Sequence, residues 1–265
     1  MTLFAATFKR ALSVGAIGAL ALCWQGAASA AEIKVLSAGA IEPGLKAAAT
    51  AFEKQSGHTV QITFNTAPEL RKRMDGNPAF DVVIAPPAVI SDFAAAGKLA
   101  EARANVGRVG MGVAVRRGAP APDVSSAESL KRAVLAADSL VFNRASTGLY
   151  LESLLKKMDV YTQVEAKTTR YPDGASVMEH LIKGDNKVDK KGTGGEIGFG
   201  AITEILLYAD KGLTFVGPVP AEIQNYTAYT AAPLASGAQQ DLARQLVVFL
   251  SGPGKPLFVA AGVTD

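Results

Sequence analysis

The sequence predicts an α/β protein of two lobes, each a mostly parallel sheet flanked by helices. Three observations predict it. Strand-like and helix-like stretches alternate along the chain, the pattern of open parallel sheets. Two such sets follow one another, over a length that suits two lobes. Hydrophobic residues make up 49% of the 265 residues and charged residues only 19%, below the roughly 25% of ordinary globular chains. That composition excludes a disordered polyelectrolyte and supplies a sizeable core.

The first thirty residues stand apart. Lys9 and Arg10 form a basic start, Ala11 to Leu22 carries no charge, and Ala28-Ser29-Ala30 places small residues where a signal peptidase reads them. Residues 1–30 are therefore expected to be a cleaved secretory signal, and the mature chain to be periplasmic. Gln25, Gly26 and Ser29 interrupt the apolar run, which falls short of the ~20 residues of a spanning helix. Cys23 suggests a lipidation site, but Leu22 stands where that chemistry wants a small residue. Cleavage removes the only Cys and the only Trp, and lowers the formal charge from +3 to +1. The mature chain then has no disulfide and no thiol nucleophile. Its near-neutral charge disfavours nucleic acid as a partner.

The elements follow in order. Ile33-Lys34-Val35-Leu36 reads as a strand. Leu45, Ala48, Ala49 and Phe52 fall at helical spacing, and Gly57 is a stop. Val60, Ile62 and Phe64 alternate with polar residues as in a strand. Pro68 suits the first turn of the next helix, where its missing N–H costs nothing. Phe80 to Ala85 reads as a buried strand, and Val89 to Ala96 as a helix ended by Gly97. Met111 to Val115 is a strand. Ser125 and Glu128 have capping-box spacing ahead of Leu130, Ala133, Val134 and Ala137. Leu140-Val141-Phe142 is a strand, and Leu151, Leu154, Leu155 and Met158 line a helix. Val177 and Leu181 line another. Ile197 to Phe199 and Thr214 to Val216 are short strands, and Leu242, Leu246 and Phe249 mark a closing helix. Gly184 to Gly195 mixes Asp, Lys and Gly and reads as a surface loop. The lobes are expected at residues 31–108 with 235–265, and at 109–234.

Catalytic signatures are missing. The chain has no phosphate-loop, zinc-protease or nucleophile-elbow motif. Its two histidines, His58 and His180, read as surface residues, and two His without Cys make a zinc site unfavourable. No cofactor or metal is expected.

What stands out is the composition of the strand-to-helix corners. Ser37-Ala38-Gly39-Ala40-Ile41, Asn65-Thr66-Ala67-Pro68 and Asn143-Arg144-Ala145-Ser146-Thr147-Gly148 each put small or hydroxyl residues after a strand and before a helix. In open α/β sheets ligands bind at such corners. A helix start offers unpaired N–H groups and about half a positive charge. Small side chains let a ligand approach that backbone, and several starts meeting in one cleft form an anion cage. Ordinary helix caps use the same residues. Arg144, the charged residue among them, is able to clamp a carboxylate by two parallel hydrogen bonds or to make a surface ion pair.

At these corners the chain resembles a known family. The blocks IKVLSAGAIEPGLKAAATAFEKQSGHTVQITFNTAPELRKRM, FDVVIAPP, STGLYLESLLKKMDV, EIGFGAITEIL and FLSGPGKPLFVAAGV are similar, in order and spacing, to the periplasmic solute-binding proteins of ATP-driven importers, and to their molybdate-binding branch. The resemblance implies a type II periplasmic-binding fold, with two lobes that close on a ligand about two crossing segments. It also implies delivery of the ligand to an ABC transporter permease. In the molybdate branch two serines hold the oxyanion. The matching positions here are Ala40 and Ala67, with Ser37 and Thr66 as neighbouring hydroxyls, and a tyrosine of that branch falls near Ala201. Backbone donors near Thr147 and Ala175 carry over. The expected ligand-binding set is Ser37, Gly39, Ala40, Thr66, Ala67, Arg144, Ser146, Thr147 and Ala175. The expected function is non-enzymatic capture of a small anion, a molybdate-type oxyanion or a small carboxylate, by a monomer. The alternatives are a secreted enzyme using the same cleft, which needs a titratable pair there, and a ligand-sensing regulatory domain, which the secretory signal disfavours.

Overall fold

The computed structural model describes residues 30–76, 79–184 and 195–265. Residues 1–29 of the expected secretory signal and residues 185–194 of the expected surface loop lie outside the described residues.

β1 (Glu32–Ala38) enters a short 3-10 turn at Gly39–Ile41 and then α1 (Glu42–Ser56). Leu45, Ala48, Ala49 and Phe52 are the buried face of α1, as their spacing requires. Gly57 ends the helix at φ 74°, a left-handed conformation that glycine adopts without steric cost. β2 (Thr59–Asn65) and α2 (Ala67–Asp75) follow, with Pro68 in the first turn. β3 (Val82–Ala85) and α3 (Pro87–Ala95) lead to β4 (Ala104–Arg116). Then come α4 (Ala127–Ala136), β5 (Ser139–Asn143), α5 (Ser146–Lys157), α6 (Tyr161–Val164), β6 (Thr168–Tyr171) and α7 (Gly174–Lys183). The chain continues through β7 (Glu196–Ala201), α8 (Ile202–Leu207), β8 (Leu213–Pro218) and β9 (Tyr226–Pro233). It finishes with α9 (Gln240–Ser251) and α10 (Lys255–Ala260).

The nine strands among the described residues form one curled sheet in the order β2-β1-β3-β9-β4-β7-β5-β6, with β8 also paired to β4. The pairs of β1 with β2 and β3, and of β5 with β6 and β7, are parallel. The sheet as a whole is mixed, because β4 and β9 run back through it antiparallel to their neighbours. β4 does this by its length. Its residues Ala104–Gly110 pair with β9, and Met111–Arg116 continue against β7 and β8. β9, which the sequence groups with residues 109–234, pairs with β3 and buries Tyr229, Ala231 and Ala232 in the first core. That core spans β1, β3, α1, α3, α9 and α10. Separate clusters form around Leu130, Phe142, Leu155 and Phe199, and around Val177, Met178 and Leu181.

Two local expectations need correction. The cap of α4 is Ser126, not Ser125. Ser126 is extended and its side chain accepts the Ser129 N–H, while the N–H of Ser125 is taken by Asp123. His180 is not a free surface residue. Its ring packs between Tyr171 and Glu196, with Nδ1 2.8 Å from the Tyr171 hydroxyl and Nε2 3.0 Å from the Glu196 carboxylate. It sits one helical turn before the end of an amphipathic helix whose buried face includes Val177 and Leu181, so a residue three past Val177 lands at the edge of that face. His58 is half-buried and accepts the Ala31 N–H.

Candidate functional site

Parallel pairing brings the corners together. In the register of β1 and β2, Ala38 stands opposite Asn65, so the first two corners leave the sheet side by side. In the register of β5 and β6, Asn143 stands opposite Tyr171, so the third corner lies beside the entry to α7. All four open into one cavity of about 440 Å³.

Each corner is built by local chemistry. The 3-10 turn Gly39–Ile41 puts Gly39 and Ala40 on the wall, and the Ala40 carbonyl accepts the Thr203 hydroxyl from α8. At the second corner Asn65, Thr66 and Ala67 line the cavity, and the buried Asn65 Oδ1 has no hydrogen-bond partner. At the third, the buried Asn143 folds its side chain over the turn and accepts the N–H groups of Ala145 and Gly148 at 3.1 and 3.0 Å. A methyl on Gly148 would fall 1.8 Å from the Asn143 carbonyl oxygen, so this tight approach requires glycine. At the fourth, Asp173 caps α7 by accepting the Ser176 N–H at 2.8 Å, and Gly174 and Ala175 face the cavity.

Of the nine expected binding residues, Gly39, Ala40, Thr66, Ala67, Ser146, Thr147 and Ala175 line this cavity and two do not. Ser37 is wholly buried in β1 and its hydroxyl donates to the Ala38 carbonyl. Arg144 is exposed. The Asn143 turn sends its backbone N–H to the Tyr171 carbonyl and its side chain to solvent.

The cavity also holds residues the sequence reading missed. Tyr229 from β9 is buried in its wall, and burial pushes its phenol up. Glu204, in the first turn of α8, reaches across to the entry of α7. A methyl on Gly174 would sit 2.0 Å from its Oε2, and one on Gly39 would be 3.8 Å from its Oε1. The half-buried carboxyl is pushed up to about 7 by desolvation. The Ala201 N–H opposes that shift, and the negative charges of Asp173 and Glu42 add to it. Lys46 and Lys211 stand at the margin, both exposed. Glu204 lies inside the EIGFGAITEIL block, and its spacing three residues past the helix cap was a legible sign. That it faces the cavity depends on topology. Among the described residues no cluster of three metal-ligating side chains occurs, and no helix is long and apolar enough to cross a membrane.

Comparison with known proteins gives the setting. The family model described as bacterial extracellular solute-binding protein matches residues 33–263. A protein named aconitate isomerase, from Pseudomonas sp, is 27% identical over 226 residues, covering 83% of this chain and 82% of that one. The fold is shared with the periplasmic molybdate-binding protein of Azotobacter vinelandii, at a TM-score of 0.68 and 18% identity over 88% of this chain and 99% of the other. It is shared too with the sulfate-binding protein SubI of Mycobacterium tuberculosis H37Rv, at 0.63 and 16% over 88% and 86%.

Proposed function

Because the chain belongs to the bacterial extracellular solute-binding proteins, we propose that its cleft captures a small organic anion, a carboxylate, and hands it to the permease of an ABC importer. One observation carries this reading: four helix entries with small side chains converge on a single cavity of about 440 Å³. Their N–H groups and dipoles favour negative charge. The volume lies in the range that encloses small organic ligands. Ala40 and Ala67 bring no hydroxyl to a compact tetrahedral oxyanion, whereas Phe64, Leu207 and Tyr229 add apolar wall suited to a carbon skeleton. Closure is driven only by tighter contacts in the shut form. The reading carries with it cleavage after Ala30, a periplasmic monomer, and no cofactor or nucleic acid. It takes lobes at residues 31–108 with 235–265 and at 109–234, with β4 and β9 crossing between them.

Thermal unfolding against molybdate, tungstate, sulfate, citrate, malate and trans-aconitate tests it. The expected result is stabilisation by a carboxylate, of about 3 kcal/mol at a hundredfold excess over Kd. Stabilisation by molybdate alone assigns the oxyanion class instead, and no response to any of the six overturns anion capture.

Glu204 favours a second reading, turnover of the ligand in the same cleft. The relative named aconitate isomerase suggests the chemistry. A carboxylate base removes a proton from the carbon between a carboxylate and a double bond. The double bond shifts, and the proton returns two carbons away, so neither oxidant nor cofactor is consumed. A base of pKa near 7 suits such a transfer, and helix starts stabilise the charge that moves onto the carboxylate. Incubation with cis-aconitate in D2O decides it. Appearance of trans-aconitate carrying deuterium supports turnover, and unchanged substrate refutes it.

A further inference from the structure

We propose that Glu204 makes ligand capture proton-linked: the anion seats only when Glu204 is protonated, and the carboxylic acid then donates a hydrogen bond to it. This rests on the reading of the cleft as an anion site.

Glu204 stands against Gly174 at the start of α7 and beside Gly39 at the first corner, which are two of the four donor ends of the cage. Ionised, it is itself the anion that the cage attracts, and a ligand carboxylate arriving there meets a like charge in a partly dehydrated cleft. Like charges sharing such a site do not both stay ionised. The neighbours strengthen the conflict. Asp173 on the α7 entry and Glu42 at the start of α1 are negative, and Tyr208 and Tyr229 are neutral phenols held up by burial. Of the cations on the walls, Lys46 is exposed and spends its charge on an ion pair with Glu42, which leaves Asp173 as the carboxylate without that compensation, and Lys211 is exposed at the margin, where solvent screens it. Burial has already brought the carboxyl to about 7, so the proton is within easy reach at physiological pH.

Two consequences separate this from a purely structural Glu204 that caps α8 through the Ala201 N–H. Above its midpoint, apparent affinity falls about tenfold per pH unit, because only the protonated fraction is competent. Binding at pH 8 takes up close to one proton, and at pH 5.5 close to none. Protonated Glu204 offers a donor, so it selects a fully ionised ligand.

Isothermal titration with trans-aconitate, molybdate and sulfate tests it. Molybdate and sulfate keep a constant charge between pH 6 and 8.5, and trans-aconitate, whose last carboxyl titrates on the acid side of neutral, keeps its charge over the interval from pH 7.5 to 8.5 in which the slope is read. Two buffers of different ionisation enthalpy give the proton count on the wild-type protein, with no need of a variant. The expected result is uptake near one proton at pH 8 and a tenfold loss of affinity from pH 7.5 to 8.5. Glu204→Gln, a neutral isostere, should hold the low-pH affinity at every pH and take up no proton. Binding to the wild type with no uptake and no slope overturns the proposal, as does a slope retained in Glu204→Gln. If none of the three probes binds the wild type at pH 6, it is the anion reading itself that falls.

Discussion

The cleft depends on a few close approaches. Gly174 makes one. Any side chain there meets the Glu204 carboxylate, 2.0 Å from where a Cβ would be, and the end of that flexible side chain must swing aside to admit it. Gly174→Ala is expected to cost little in stability, less than the roughly 1–3 kcal/mol of an overpacked core, and to change ligand-induced stabilisation, because it displaces the Glu204 carboxyl from the entry to α7. Urea unfolding with and without ligand checks both effects. Arg144 is the opposite case. It is exposed and outside the cavity, so Arg144→Ala should change affinity less than twofold, measured by titration. A site that clamped its ligand through Arg144 would instead lose several kcal/mol. The misplacement has a local cause. Residue type shows that an arginine sits at a corner, but its direction is fixed by the Asn143 side chain folding over the turn.

At the level of elements, what was legible is what local chemistry decides. The entries to α1, α2 and α5 lie where small residues follow an apolar strand, and Gly57 and Gly97 stop their helices at φ 74° and 68°. β9 was not legible. Its sequence, YTAYTAAP, alternates threonine with alanine, which gives little contrast between faces, and it becomes a strand because β3 and β4 offer it edges on both sides. β6 is only four residues long, and α8 only six, too short for a periodic pattern. With them went Tyr229 and Glu204, the two cleft residues carried by elements that topology alone places. The helix caps are testable at this scale. Ser126 accepts the Ser129 N–H at 3.1 Å at the start of α4 and does not line the cavity. Ser126→Ala should cost about 1 kcal/mol and leave ligand affinity unchanged. Asp173→Ala should cost a similar amount and also alter affinity, because the same helix start faces the ligand. Comparing the two variants by denaturation and titration separates capping from binding.

For the whole molecule, the half-buried Glu204 carboxyl makes stability depend on pH in a direction opposite to most carboxylates. Glu152 illustrates the common case. Its hydrogen bond to Lys156, and then that to Arg170, hold its carboxyl below the ordinary range, so its contribution is lost only as the solution becomes acidic. Glu204 is raised instead, from about 4.5 to about 7. The unfolded chain gives up that proton first, so the contribution is complete below pH 4.5 and disappears as pH rises through 7. At ~1.4 kcal/mol per pH unit the whole contribution is about 3 kcal/mol. Between pH 5 and 8 the lowered carboxylates are already ionised and no longer vary. Subtracting the profile of Glu204→Gln cancels what the other groups contribute, so the difference should fall steadily from pH 5 to 8 and flatten above it, read by urea unfolding at half-unit steps. A difference that does not vary with pH would mean that Glu204 is solvated in solution, with an ordinary carboxylate pKa. The same proton then has two uses in this fold. The free protein gives it up on the alkaline side at a cost in stability, and an arriving anion restores it. Ligand stabilisation measured at pH 8 should therefore fall short of that at pH 6 by RT times the logarithm of the ratio of the two affinities, about 1.4 kcal/mol for a tenfold ratio.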